Sequence, residues 1–181
     1  MLADRESRRT NRTCWFFNSF FVERLLITDG EYKYDNIKRW SKRFDVFAMD
    51  KVFFPINIRN THWTLAVIYV KLKEIRYYDS MNGCGLKLLE ALRQWLMHEA
   101  LYKKNVVLDE SSWKLIDSGE HHVPVPEQNN FFDCGVFVCV AADFIQDDLP
   151  LTYSQENIPF FRQKIAADII RGYTLYPALG Q

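Results

Sequence analysis

From Cys14 onward the chain turns apolar: Trp15, Phe16, Phe17, Phe20, Phe21, Val22, Leu25 and Leu26 recur on several helical faces. The spacing predicts a buried helix that ends at Gly30. A second short helix is expected over residues 35–40, with Lys38, Arg39, Lys42 and Arg43 on its wet side. The rhythm then changes. Val52 to Ile58 is a short apolar run, and after Arg59-Asn60-Thr61 the run from His62 to Val70 is apolar at both odd and even positions. That is the pattern of a central strand covered on both faces. Lys71-Leu72-Lys73-Glu74 reads as a polar turn, Ile75 to Tyr78 as the return strand of a hairpin, and residues 79–83 as the loop that leaves it.

Apolar residues at 86, 88, 89, 92, 95, 96 and 101 predict an amphipathic helix. Residues 113–116 suit a short strand. Val123-Pro124-Val125-Pro126 must be extended, because proline lacks the amide hydrogen and disfavours helix at the residue before it. A helix is expected from Cys134 through the run Val136 to Ala142, a loop over 149–153, and a last helix opened by Asn157-Ile158-Pro159 and running to about Arg171. This order implies an α+β domain, a small mixed central sheet flanked by helices. We read residues 1–13 as a polar tail, 14–175 as one domain and 176–181 as a second tail.

Composition narrows the function. The 181 residues are 48% hydrophobic and 15% aromatic, enough for one sizeable core. Basic and acidic residues balance at 23 each, so nothing global points to nucleic acid. No stretch approaches the roughly 18 apolar residues of a membrane span. The polar start has no apolar signal region, so no secretory leader is expected. The cysteines are then expected to stay reduced. Cys134 and Cys139 are five apart and His121 and His122 adjacent, spacings that suit a metal poorly. No cofactor is implied.

The chemistry concentrates in Gln128-Asn129-Asn130-Phe131-Phe132-Asp133-Cys134-Gly135. A thiolate is a strong nucleophile, and a helix N-terminus favours it. The Gln128 amide and the Cys134 backbone N–H could together hold an oxyanion. A cysteine ahead of an apolar helix also serves as a small hydrophobe, so a base upstream must decide between the two. His98 is expected to be exposed, and His121 and His122 sit in a polar loop. His62 stands at the entrance of the most buried strand. Asp79 ends the return strand, and a turn centred between Leu72 and Lys73 would set it opposite Ala66, on the sheet face of His62. Such a flat register leaves the pair too far apart without strand twist, and a half-residue shift of the turn reverses the face.

Together, His62-Trp63, Tyr78-Asp79-Ser80 and the segment Gln128 to Gly135 resemble the ubiquitin-like-protein-specific cysteine proteases, the SUMO (sentrin) proteases. Phe17 to Phe21, Lys38 to Trp40, Asp45 to Phe47, Pro55 to Asn57, Tyr77 to Gly83 and Pro159 to Arg162 extend the likeness over roughly residues 14–171. The resemblance implies a papain-like fold, with His62 as general base, Asp79 orienting it, Cys134 as nucleophile, Gln128 as oxyanion donor and Trp63 over the substrate's Gly-Gly tail. It implies cleavage after the C-terminal Gly-Gly of a SUMO-type modifier, by trimming a precursor or cutting an isopeptide bond. A nuclear location, at the envelope or within, is expected ahead of the cytoplasm. The family's upstream Trp-Leu-Asn-Asp stretch, the other wall of the tail tunnel, is not found here, so some exposed apolar surface is expected where it packs. Two alternatives stand beside this: a protease for another modifier such as NEDD8, and a SUMO-binding module disabled by lack of that stretch. Residues 39–47 and 77–83 lean to the SUMO branch.

Overall fold

The computed structural model describes residues 13–27, 30–118 and 124–172. Five strands form one sheet in sequence order: β1 (Cys14–Phe16), β2 (Lys51–Ile58), β3 (His62–Tyr69), β4 (Glu74–Tyr78) and β5 (Lys114–Ile116). β1 runs parallel to β2, β2–β3–β4 is an antiparallel meander, and β5 lies parallel to β4. The helices are α1 (Phe20–Leu25), α2 (Leu86–Lys104), α3 (Cys134–Gln146) and α4 (Ile158–Arg171). This is the α+β architecture expected, a mixed sheet with helices around it.

Two local expectations are corrected. Cys14 to Phe16 is a strand and not the start of a helix. Trp15 stacks on Phe44 (ring centroids 4.0 Å) and Phe16 on Phe53 (4.4 Å), so successive rings serve different partners, as period-two alternation allows. The helix begins only at Phe20, whose N–H donates to Asn18 Oδ1 at 3.0 Å. It ends at Leu25, ahead of Gly30. Residues 35–40 form no regular helix. A 3₁₀ turn over Tyr34–Asn36 is followed by further turns, and Ile37 is the one fully buried apolar side chain there, too little to hold a helix in place.

Each face of the sheet carries its own core. Val52, Phe54, Ile56, Ala66, Ile68, Ile75 and Tyr77 pack with α1 and α2. Phe53, Leu65, Val67 and Tyr78 pack with Val138, Ala141, Ala142 and Ile145 of α3. The opposite side of α3, from Val136 to Phe144, meets Tyr153 and the α4 residues Ile158 and Phe161. α3 is therefore sandwiched, which accounts for its nearly unbroken apolar sequence. It runs alongside β3. Gly135 at its start lies against Trp63, the second residue of β3. At its end the Ile145 carbonyl accepts from Lys51 Nζ at 2.6 Å, and Lys51 pairs with Tyr69, the last residue of β3. The buried ammonium thus caps the negative end of α3.

His98 is not the exposed side chain expected. It is half-buried on α2 among Tyr32, Tyr34 and Tyr102, and its Nδ1 meets the Tyr32 hydroxyl at 2.5 Å. Burial pushes the imidazole below its usual pKa, with Asp35 opposing. A base with a lowered folded-state pKa loses stability as pH falls through its unfolded value of about 6.5. His98→Gln is therefore expected to flatten the acid limb of the Tm–pH curve below that pH. An unchanged limb in thermal melts would refute this.

Candidate active site

The β3–β4 register pairs Leu65 with Tyr78, which moves each cross-strand partner by two residues from the register inferred from sequence. An even shift keeps the face. Extended by one residue, it sets Asp79 opposite Thr64, next to His62 along the same face, within reach of a diagonal pair. His62 Nε2 meets Asp79 Oδ1 at 2.7 Å. The carboxylate is 3% exposed and the imidazole 16%, so the pair is largely shielded from water. With Nε2–H donating to the carboxylate, the His62 lone pair sits on Nδ1, free to take a proton.

Asp79 is itself held. The Met81 N–H donates to Oδ1 at 2.8 Å and the Gly83 N–H to Oδ2 at 3.2 Å. This turn needs glycine at 83, because a Cβ there would fall 2.5 Å from Asp79 Oδ2. Gly83→Ala is expected to push the carboxylate off His62 and lower kcat by about 10-fold or more with little change in KM, as small misplacements of catalytic groups do. Single-turnover kinetics would test it, and an unchanged kcat would refute it.

Cys134 opens α3, in the first turn, where backbone N–H groups lack intrahelical acceptors. It is 5% exposed. A Cβ on Gly135 would sit 3.6 Å from Trp63 Cδ1, so the helix start lies at the end of the sheet where His62 and Trp63 begin β3. Trp63 is partly buried against the α3 core.

Gln128 is fixed by Ser80, the residue after Asp79. The Gln128 N–H donates to the Ser80 carbonyl at 3.0 Å, and the buried Ser80 hydroxyl donates to Gln128 Oε1 at 2.6 Å. This settles which way the amide faces. Gln128 Nε2 donates one hydrogen to the Asn130 carbonyl, and an amide nitrogen carries a second. Asn130 Oδ1 accepts from the Phe132 and Asp133 N–H groups, both at 3.1 Å. The rings of Phe131 and Phe132 are left 85% and 74% exposed just ahead of Cys134.

The structure thus gathers His62, Trp63, Asp79, Gln128 and the start of α3 at one end of the sheet. His121 and His122 lie outside the described residues. Among the described residues no group of three or more His, Cys, Asp or Glu is placed to hold a metal ion. No described helix is long and apolar enough to cross a membrane. Reasoning from sequence missed Ser80, Asp133 and Gly83 as supports. Ser80 had a signal, its place next to Asp79. Gln155 and Arg162, the partners that reach Asp133 from 22 and 29 residues away, had none.

Residues 1–174 match the model of the Ulp1 protease family, C-terminal catalytic domain. The chain is 37% identical to Ubiquitin-like-specific protease 1A of Arabidopsis thaliana over 177 residues, covering 94% of this chain and 34% of that protein. It is 34% identical to Sentrin-specific protease 2 of Homo sapiens over 170 residues, covering 94% of this chain and 28% of that one. The chain therefore spans about a third of the length of these curated relatives. Among solved structures it resembles the C-terminal Ulp1 protease domain in complex with Smt3, the yeast ortholog of SUMO. That match has a TM-score of 0.78 and 31% identity, covering 94% of this chain and 73% of that one.

Proposed function

This chain belongs to the Ulp1 protease family as a C-terminal catalytic domain, and we propose on that premise that it is a thiol protease cleaving after the C-terminal Gly-Gly of SUMO-type modifiers. The observation that carries the reading is the His62–Asp79 hydrogen bond at the end of the sheet where Cys134 opens its helix. Relatives named for ubiquitin-like and sentrin substrates, and a solved relative bound to Smt3, support the substrate class.

The Cys134 sulfur attacks the last glycine carbonyl while its proton passes to His62 Nδ1. Asp79 holds the ring and stabilises the imidazolium. The tetrahedral oxyanion accepts from the second Gln128 Nε2–H and from the Cys134 backbone N–H. Collapse breaks the C–N bond, and the imidazolium protonates the leaving amine, either a lysine Nζ or the next residue's nitrogen. A thioester remains. Water then attacks it with His62 again taking the proton, and the thiol and the modifier's carboxylate are released. Trp63, against the backbone at Gly135, would roof a slot that admits only residues without side chains.

The test is a panel of modifiers carrying a C-terminal electrophile. SUMO is expected to form an adduct, and NEDD8 and ubiquitin are not. An adduct with NEDD8 alone would replace the substrate, and binding of SUMO without an adduct would replace the enzyme by a binding module. Nuclear residence is proposed with this reading on the family resemblance, and imaging of the tagged full-length protein tests it.

A further inference from the structure

The residue before the nucleophile is a buried acid. Asp133 is 4% exposed and occupies the N-cap position of α3, yet its side chain caps no helix N–H. The carboxylate turns instead toward the segment that leads into α4. Its Oδ1 accepts from Arg162 Nε at 3.1 Å and from Arg162 Nη2. Its Oδ2 accepts from Gln155 Nε2 and Asn130 Nδ2, both at 2.7 Å. Arg162 Nη2 also donates to the Phe132 carbonyl at 3.2 Å, so one guanidinium grips both residues ahead of Cys134. Burial alone would raise the Asp133 carboxyl. The hydrogen bonds from Asn130, Arg162 and Gln155, with the charge of Arg162, outweigh it and hold the group below its ordinary value.

This arrangement poses an electrostatic problem. A carboxylate one residue before the thiol opposes formation of the thiolate, as any like charge does. We infer that Arg162 is a positioning residue for the nucleophile: its guanidinium neutralises Asp133 and locks the turn that presents the Cys134 sulfur. The neutral donors Asn130 and Gln155 satisfy the oxygens of Asp133, but only Arg162 among its partners brings a compensating charge. Among the described residues, other titratable groups near this end include Arg59 in the β2–β3 turn, His62 on β3, Asp79 after β4, Glu127 held by Asn82, and Glu156 ahead of α4. Lys164 of α4 lies further along, near Asp143 and Asp168, and Lys51 of β2 is at the far end of α3.

The inference rests on Cys134 being the nucleophile, so its test reads the thiol and not hydrolysis. The rate of Cys134 alkylation by iodoacetamide is followed against pH by peptide mass spectrometry in intact protein. Arg162→Gln is expected to raise the pH midpoint by about 0.5–1 unit, since it leaves Asp133 uncompensated. Arg162→Lys, which keeps the charge but not the fork, is expected to shift it by less than Gln does. Asp133→Asn is expected to lower the midpoint by leaving the guanidinium unopposed, and Asp133→Asn with Arg162→Gln to return it to wild type. That last comparison decides the matter even if Arg162→Gln alone does not fold. The inference is overturned if Arg162→Gln leaves the midpoint unmoved, if Lys shifts it as far as Gln, or if the double variant titrates like Asp133→Asn. Normal titration in a protein that cleaves no modifier would instead count against the proposed function.

Discussion

Replacing Cys134 with serine is expected to abolish adduct formation with SUMO electrophiles and to lower hydrolysis by about 10⁴-fold or more. The fold should persist. The side chain is nearly isosteric, and α3 is held along its length by both the sheet core and α4. A serine hydroxyl is a far weaker nucleophile at neutral pH than a thiolate, and a site built for cysteine does not activate it. Binding of unreactive SUMO should be unchanged, which separates loss of chemistry from loss of structure. An adduct formed by Cys134→Ser would transfer the nucleophile to another thiol. Cys139 is the nearest in sequence, but desolvation and then Asp143 push its thiol up, away from reactivity. His62→Ala should fall less, by about 10²–10⁴-fold, since it removes the base and leaves the sulfur.

The second large effect is on stability. Trp95→Ala is expected to cost about 3–5 kcal/mol of unfolding free energy. Trp95 is fully buried on α2, with ring centroids 5.2 Å from Phe21, 5.7 Å from Phe54 and 5.8 Å from Phe17, each edge-on. It joins α1, β2 and α2 on one face of the sheet. Against a typical total of about 5–15 kcal/mol, such a loss leaves little margin. Trp95→Phe should cost less, about 1–2 kcal/mol. It keeps a ring and removes an indole N–H that has no hydrogen-bond partner among the described residues. Urea titrations of both variants check this. A cost below about 1.5 kcal/mol for the alanine variant would mean the cluster is not the keystone its geometry describes.

The sequence by itself determined the architecture and put forward the residues proposed for the site. β3 was legible because apolar residues at both parities leave no wet face, α2 because its apolar positions recur at helical spacing, and α4 from the Asn157-Ile158-Pro159 signal that opens it. His62 and Asp79 stood out as polar groups at the ends of buried strands, and Cys134 and Gln128 as a thiol at a helix start with an amide donor close behind. At residues 14–16 the reading failed, since a short aromatic run suits helix and strand alike, and only the stacking of Trp15 on Phe44 and Phe16 on Phe53 decided it. Tertiary structure also decided the hairpin register, the tyrosine nest around His98, the lock of Gln128 on Ser80, and the reach of Arg162 across 29 residues to Asp133. The physical reason is common to all of these. Periodicity records which way a side chain points relative to its own element, whereas partners distant in the chain are set by how elements pack, and that information is carried by no local stretch of residues.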